Sequence, residues 1–347
     1  MKRRTGWSVS LWLGACALGW VGSIALANPY AAVDWEQCQQ HRANLHTHTT
    51  ISHGRATPAE TIDRYRELGY TVLALTDHDT MGPGGDRDDP RKAETTWPWE
   101  RYDRNPAELG MVAIEGNEVS KVDHIGSYFT GYGNAEVESP EQVIEEIGQR
   151  GGLAVMFHPG RYDRSVEWYL GLFARFNHLV GLEVSNQTDR YPWDVDFWDD
   201  VLSASMPDMP IWGFANDDMH RIEDVGRSWE VLLLPRLTAE HVREAMKTGR
   251  FYFSFVYEPG RPAPTIQSIA VDAEARTIKI QADGHQQIYW ISCGRIVAKG
   301  STFDVKRARH PKRYVRAQLR GEHGYTFTQP FRLPLRPATT KPAAEDQ

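Results

Sequence analysis

Imidazole and carboxylate side chains recur along this chain in short clusters of the kind that divalent transition metals select. The clusters are Asn44-Leu45-His46-Thr47-His48 with His53 five residues on, Thr76-Asp77-His78-Asp79, Gly116-Asn117-Glu118 followed by Asp123-His124, Phe157-His158-Pro159-Gly160, and Asn216-Asp217-Asp218-Met219-His220. Their candidate ligands are His46, His48, His53, His78, Glu118, His124, His158, Asp218 and His220. That set is too large for one tetrahedral site and suits two or three divalent ions, with Mn, Zn and Fe as the candidates. Metals so held activate water, so the expected chemistry is hydrolysis. One H-x-H alone is weak in a chain with 13 histidines. The argument rests on seven of them standing in clusters that close predicted strands.

The elements around the clusters supply the convergence. From about residue 43 to 257, short apolar strands alternate with amphipathic helices. Strands are expected at 43–46, 71–76, 111–115, 125–130, 153–157, 179–184, 211–215 and 230–234. Helix starts are marked by Thr57-Pro58-Ala59-Glu60 and Ser139-Pro140-Glu141-Gln142, each a cap, a proline and a capping-box partner. Thr238 opens a further helix that Gly249 closes. This alternation predicts a mostly parallel sheet closed or nearly closed into a barrel, with the clusters at the C-terminal strand ends where such barrels collect their chemistry. Residues 81–105, rich in Gly, Asp, Pro and Trp, follow the Asp77-His78 strand. They read either as a lid carrying Trp97-Pro98-Trp99 or as an ordered surface loop.

Outside this region the chain changes character. Lys2, Arg3 and Arg4 precede an apolar run over 7–26 that ends in Ala25-Leu26-Ala27, the pattern of a secretory signal over 1–27. An uncleaved anchor is the alternative, and Arg3-Arg4 leaves the twin-arginine route open. The expected location is therefore periplasmic or extracellular. A Pro-rich linker over 258–264 separates the 28–257 body from alternating segments over 265–336, read as a small all-β sandwich-like module. The tail over 337–347 has a disordered composition. Cys38 and Cys293 either pair across the two parts or remain free.

The whole chain carries a formal net charge of −7. Residues 28–261 hold 22 Lys and Arg against 39 Asp and Glu, whereas 262–336 hold 13 against 5. The acidic body gives no nucleic-acid-binding signal, and bound dications would offset part of its charge. The basic module can meet an anionic surface or be a solvated face. No stable membrane insertion is expected after signal removal, and protein partners are not indicated.

Over residues 43–225 the sequence resembles the polymerase and histidinol phosphatase (PHP) superfamily. Its members share, in this order, the H-x-H, T-D-H, G-x-E, H-P-G and D-x-H motifs quoted above. The resemblance implies a distorted (β/α)7 barrel with a trinuclear centre. One metal would be held by His46, His48, Glu118 and Asp218. A second would share Glu118 and take His124 and His158. A third would use His53, His78 and His220. Many phosphoesterase members have Ser-Asp-Gly where this chain has Ser52-His53-Gly54, which leaves the third site's metal and occupancy open. The whole architecture, β-module included, is also similar to exported carbamate and ester hydrolases of the carbaryl-hydrolase type.

The leading expectation is a phosphoesterase in which a metal-bridged hydroxide attacks phosphorus. Arg161 and Arg221, each just beyond a ligand cluster, are placed to neutralise phosphoryl oxygens, with surface ion pairs as the bland alternative. Asp218 or His220 would pass the proton. The substrate would be a small anionic phosphoester. Hydrolysis of a carboxylic ester, amide or carbamate on the same centre is the second reading, and a non-catalytic exported metal- or ligand-binding protein the third. Glu183 either lines the site or supports it from behind. Asp77 and Asp217 are expected to orient histidines through their second ring nitrogen. Tyr162 and Lys121 are weaker candidates.

Overall fold

The computed structural model describes residues 28–92, 95–187 and 191–335. The expected signal segment and tail lie outside them. All eight expected strands of the body form, with shifted ends: β1 (Gln39–Asn44), β2 (Tyr70–Ala74), β3 (Val112–Ile114), β5 (Ile125–Tyr128), β6 (Leu153–Met156), β7 (Leu179–Asn186), β8 (Trp212–Asn216) and β9 (Ser228–Leu234). Two further strands, β4 (Gly116–Val119) and β10 (Phe251–Val256), are additions. The helices are α1 (Pro58–Glu67), a single turn α2 (Pro106–Leu109), α3 (Pro140–Gln149), α4 (Val166–Arg175), α5 (Asp194–Ser205) and α6 (Ala239–Thr248).

The helix boundaries have local causes. Thr57 Oγ1 accepts from Glu60 N while Glu60 returns a bond to Thr57 N, a complete capping box on α1. At α3 the Ser139 cap is present, but the Gln142 side chain bonds Glu138 N instead of closing the box. Gly249 ends α6 at φ 71°, the left-handed conformation glycine adopts without strain.

The body is mixed where a mostly parallel sheet was expected. β1, β2 and β3 are parallel neighbours, as are β6, β7 and β8. By contrast β4–β5, β5–β6 and β1–β9 are antiparallel. The segments between β4 and β5 and between β8 and β9 hold no crossover α-helix, so those strands turn back. The hydrogen bonding does not run as one closed ladder. It divides between a ten-stranded sheet containing β1–β3 and a five-stranded sheet β4–β8. Two single parallel bridges, Thr47 with Met219 and His78 with Glu118, stitch the sheets together. Both lie within the ligand clusters.

The C-terminal segment forms β11 (Thr265–Asp272), β12 (Thr277–Asp283), β13 (Gln287–Ser292), β14 (Arg295–Lys299), β15 (Thr302–Asp304), β16 (Tyr314–Arg320), β17 (Gly324–Thr328) and β18 (Phe331–Arg332). The expected separate β-module shares its larger sheet with the body, because β17 pairs antiparallel with β10. Only β11, β12 and β15 form a sheet of their own. Ile266, Ile278 and Ile280 from that sheet pack with Ile288, Trp290 and Val315, and the same core takes Leu233 and Tyr252 from the body. Arg316 locks the junction: fully buried against α5, it pairs with both carboxylate oxygens of Asp199, which also accepts from Tyr314 Oη at 2.6 Å. Cys38 and Cys293 are both free. No described helix is long and apolar enough to cross a membrane.

Candidate metal centre

Parallel neighbours end on the same side of a sheet, and that is what gathers the donors. His46 and His48 follow β1, His78 follows β2, His158 follows β6, and Asp218 and His220 follow β8. Glu118 lies in β4. His124 immediately precedes β5, whose antiparallel direction puts its start at the same end.

Seven of the nine donors are buried; His53 is exposed and His220 partly so. The open side of the cluster is therefore the side of His53 and His220. Four donors face one another closely. His46 Nε2 lies 3.3 Å from His48 Nε2, 3.5 Å from Glu118 Oε2 and 3.2 Å from Asp218 Oδ1. His48 Nε2 lies 3.2 Å from the same Glu118 oxygen and 3.0 Å from the same Asp218 oxygen. Tetrahedral coordination at about 2.0–2.1 Å places its donors about 3.3–3.4 Å apart, so this quartet has the dimensions of a coordination shell. Glu118 Oε2 is buried with no hydrogen-bond partner, although three imidazole nitrogens, including His78 Nδ1 at 3.0 Å, surround it. A buried carboxylate oxygen in that state asks for a cation.

The other Glu118 oxygen faces a second group. His124 Nδ1 lies 2.5 Å and His158 Nε2 3.3 Å from Oε1. Glu118 thus stands between two donor sets, one on each oxygen. A third set stands at the open side, where His53 Nε2 and His220 Nε2 approach to 2.7 Å and the His53 and His78 rings stack with centroids 4.8 Å apart. His220 Nδ1 donates to the Asp218 carbonyl at 2.7 Å, which leaves its Nε2 as the lone-pair nitrogen.

The electrostatics fit this reading. Burial lowers the pKa of His46, but Asp218, Glu183 and Glu118 together hold it well above the ordinary value. His48 is likewise buried, yet the adjacent Asp218 and Glu118 carboxylates push it up to about 9. Without a cation, protons take its place on these rings. His53, open to solvent on one side but packed on the other against His48, His78 and His220, is lowered to about 3 by that partial burial and by those neighbours. His220 is lowered to about 4 by burial and His48. Burial works against the charge on Asp218 and Glu118, but the surrounding histidines hold both carboxyls well below the usual range.

The backbone is strained at two donors. His158 sits at φ 28° immediately before a proline, and Asp218 at φ 44°. Neither is glycine, and such conformations concentrate at functional sites. Gly54 meets a packing limit instead: a Cβ there would stand 2.6 Å from the carbonyl carbon and oxygen of His48. Only glycine lets the turn carrying His53 close onto the His48 backbone.

Support from behind comes from a residue whose role the sequence left open. Glu183 Oε1 accepts from His46 Nδ1 at 3.0 Å and Asn216 Nδ2 at 3.0 Å. Its Oε2 accepts from His158 N at 3.0 Å and Asn186 Nδ2 at 2.9 Å. One carboxylate therefore aims the His46 ring and fixes the His158 backbone, and Phe157 stacks on the His46 ring at 3.7 Å. The expectation that Asp77 and Asp217 orient histidines does not hold. Asp77 accepts from Thr49, Ser52 and Thr96. Asp217 accepts from Tyr65 Oη and from the backbone of Gly226, Arg227 and Ser228. Both carboxylates anchor loops, because each faces backbone and hydroxyl donors and no imidazole.

Arg161 and Arg221 lie exposed on turns directly after His158 and His220, and among the described residues neither forms an ion pair. Tyr162 Oη accepts from His124 N at 2.9 Å, and Lys121 pairs with Glu136 at the surface. The 81–105 segment is largely tied down: Gly85 N donates to Ser52 O, Thr96 to Asp77, and Trp99 is buried against α1 and β2.

No family model matches the chain. It is 25% identical to a 5′-3′ exoribonuclease of Salmonella typhimurium, over 41% of this chain and 74% of that protein. It is 24% identical to a 5′-3′ exoribonuclease of Escherichia coli, over 51% of this chain and 85% of that one. Among solved structures, a two-domain Bacteroides vulgatus protein containing a predicted PHP-like metal-dependent phosphoesterase superposes with a TM-score of 0.54 at 14% identity, over 87% of this chain and 88% of that chain. The shared fold thus reaches beyond the donor-bearing body.

Proposed function

We propose that this PHP-like chain is a metal-dependent hydrolase that cleaves phosphoesters, with two or three divalent ions of Mn, Zn or Fe held by the nine donors. The observation that carries the proposal is the quartet around the orphaned Glu118 Oε2, at the spacing of a coordination shell. Bound there, the ions would supply the Lewis acidity and water activation that hydrolysis needs at neutral pH.

The chain's own groups take the remaining tasks. His46, His48, Glu118 and Asp218 form one metal site. Glu118 shares its other oxygen with His124 and His158. His53, His78 and His220 form the third. Arg161 and Arg221, free of ion pairs among the described residues, neutralise the phosphoryl oxygens from the rim. Asp218 passes the proton, or His220 does so where the third ion is absent and its Nε2 is uncoordinated. The exoribonuclease names of the relatives extend the substrate class from small phosphoesters to nucleic-acid ends. The basic and apolar pattern over 1–26 supports export to the periplasm or beyond. Carbamate or ester hydrolysis, as in carbaryl-hydrolase-type enzymes, would use the same donors. The aromatic lid that favoured it is not free, since Trp99 is buried.

The test is hydrolysis of p-nitrophenyl phosphate against p-nitrophenyl acetate by protein reconstituted with each metal, beside His48→Ala. Phosphate turnover lost in the variant is expected, and Arg161→Ala should lower it further than acetate turnover. Turnover of acetate alone, again lost in the variant, would replace the phosphoesterase reading with the ester one.

A further inference from the structure

The charge of the C-terminal segment is concentrated in one place. Residues 295–313 hold seven Lys and Arg against a single carboxylate, Asp304. β14 is the outermost strand of the ten-stranded sheet. The segment after β15 folds back along it, with Arg309 N donating to Val297 O at 2.9 Å and Lys312 N to Ser292 Oγ at 3.0 Å. Between strand and returning segment lie two adjoining grooves of about 740 and 400 Å³ that share Ile296, Val297 and Arg309. Arg295, Lys299, Arg307, Arg309 and Lys312 line them, all exposed. Of these five, only Arg307 has a carboxylate partner among the described residues, Asp304 at 3.4 Å. Ile296, in the shared stretch, is 51% exposed.

Four cations without a carboxylate partner repel one another along one groove, while the rest of the protein is strongly acidic. The complement is a polyanion. A groove bounded by β14 on one side and the returning segment on the other fits a single strand better than a flat bilayer. We propose that this groove binds the phosphodiester backbone of a single-stranded nucleic acid. This binding does not rest on the phosphoesterase reading. It revises the expectation drawn from the acidic body, since the binding surface is on the module.

The experiment is fluorescence anisotropy of a labelled oligouridylate with the full protein in EDTA, across a salt series. Four phosphate contacts give a slope of about −3 in log K against log salt, or ~50-fold weaker binding from 50 to 200 mM. Lys299→Gln with Arg309→Gln should halve the slope, so that binding weakens only ~7-fold over the same range. Turnover of p-nitrophenyl phosphate should be unchanged in this variant. Three results would overturn the proposal: no oligonucleotide binding at 50 mM salt, an unchanged slope in the double variant, or binding to anionic-lipid vesicles in place of the oligonucleotide. Absence of p-nitrophenyl phosphate turnover in the unaltered protein would count against the phosphoesterase reading and leave the binding result to stand by itself.

Discussion

Replacing Glu183 with glutamine should weaken metal binding without unfolding the protein. The carboxylate accepts four buried donors, from His46 Nδ1, Asn216 Nδ2, His158 N and Asn186 Nδ2. Glutamine keeps the shape but turns one oxygen into an NH2 group, which then faces donors. Either the His46 ring loses its acceptor or the His158 amide loses its own. The loss of such support behind a ligand weakens metal binding by about 10- to 100-fold, equivalent to ~1.4–2.7 kcal/mol. Glu183→Ala, by contrast, leaves all four donors unsatisfied, at about 1–3 kcal/mol each before relaxation, and should lower the melting temperature as well. The assay is competition for metal against a chromogenic chelator, with thermal melting alongside. Metal affinity within twofold of the unaltered protein for Glu183→Gln would refute the reasoning that this carboxylate aims the donors.

Three other expectations follow from the same geometry. Gly54→Ala puts a Cβ 2.6 Å from His48 backbone and must displace the turn bearing His53; metal analysis should show one ion fewer per chain, and an undiminished content would contradict this. In metal-free protein, the His48 pKa is raised to about 9, so its stability contribution is present below pH 6.5 and lost as pH rises through 9. Burial raises Asp194 to about 8, so stability is also lost as that carboxyl ionises between its unfolded value and pH 8. The melting temperature of the metal-free protein should therefore fall from pH 6.5 to 9, less steeply in Asp194→Asn; a flat or rising profile would be the wrong sign. Arg316→Ala leaves Asp199 charged and buried and should cost about 3–5 kcal/mol in urea unfolding, much of it recovered by Arg316→Met with Asp199→Leu. A loss below ~1 kcal/mol would mean that this pair does not hold the module to α5.

Much of the body was legible because its signals are local. A capping box, a proline at the first helical turn and a closing glycine each act within a few residues, and α1 and α6 begin and end where those signals stand. The donor clusters were legible because side-chain chemistry is written in residue type, and strand ends need only a rough boundary to bring them to one face. What stayed hidden depends on distant partners. β4 is wholly buried yet carries Asn117 and Glu118, so it has no apolar period to read. β14 is an edge strand rich in exposed residues and reads as a loop. The pairing of β10 with β17 joins residues about 70 positions apart and merges two regions that composition separates. Asp77 and Asp217 sit beside ligands in sequence, but their acceptors point to loop amides and hydroxyls that no spacing rule identifies. Glu183 stood at an expected strand end, and that placement was the only signal of its supporting role.

If the nine donors hold a metal cluster, the metal content of the protein will show it. The protein would be stripped, dialysed against equimolar manganese, zinc and iron(II) under anaerobic conditions, and analysed by inductively coupled plasma mass spectrometry beside His48→Ala. Two or three ions per chain are predicted, falling by at least one in the variant, because His48 Nε2 stands within 3.0–3.3 Å of three other donors of the quartet. Fewer than one ion per chain, or a content indifferent to His48, would contradict the account.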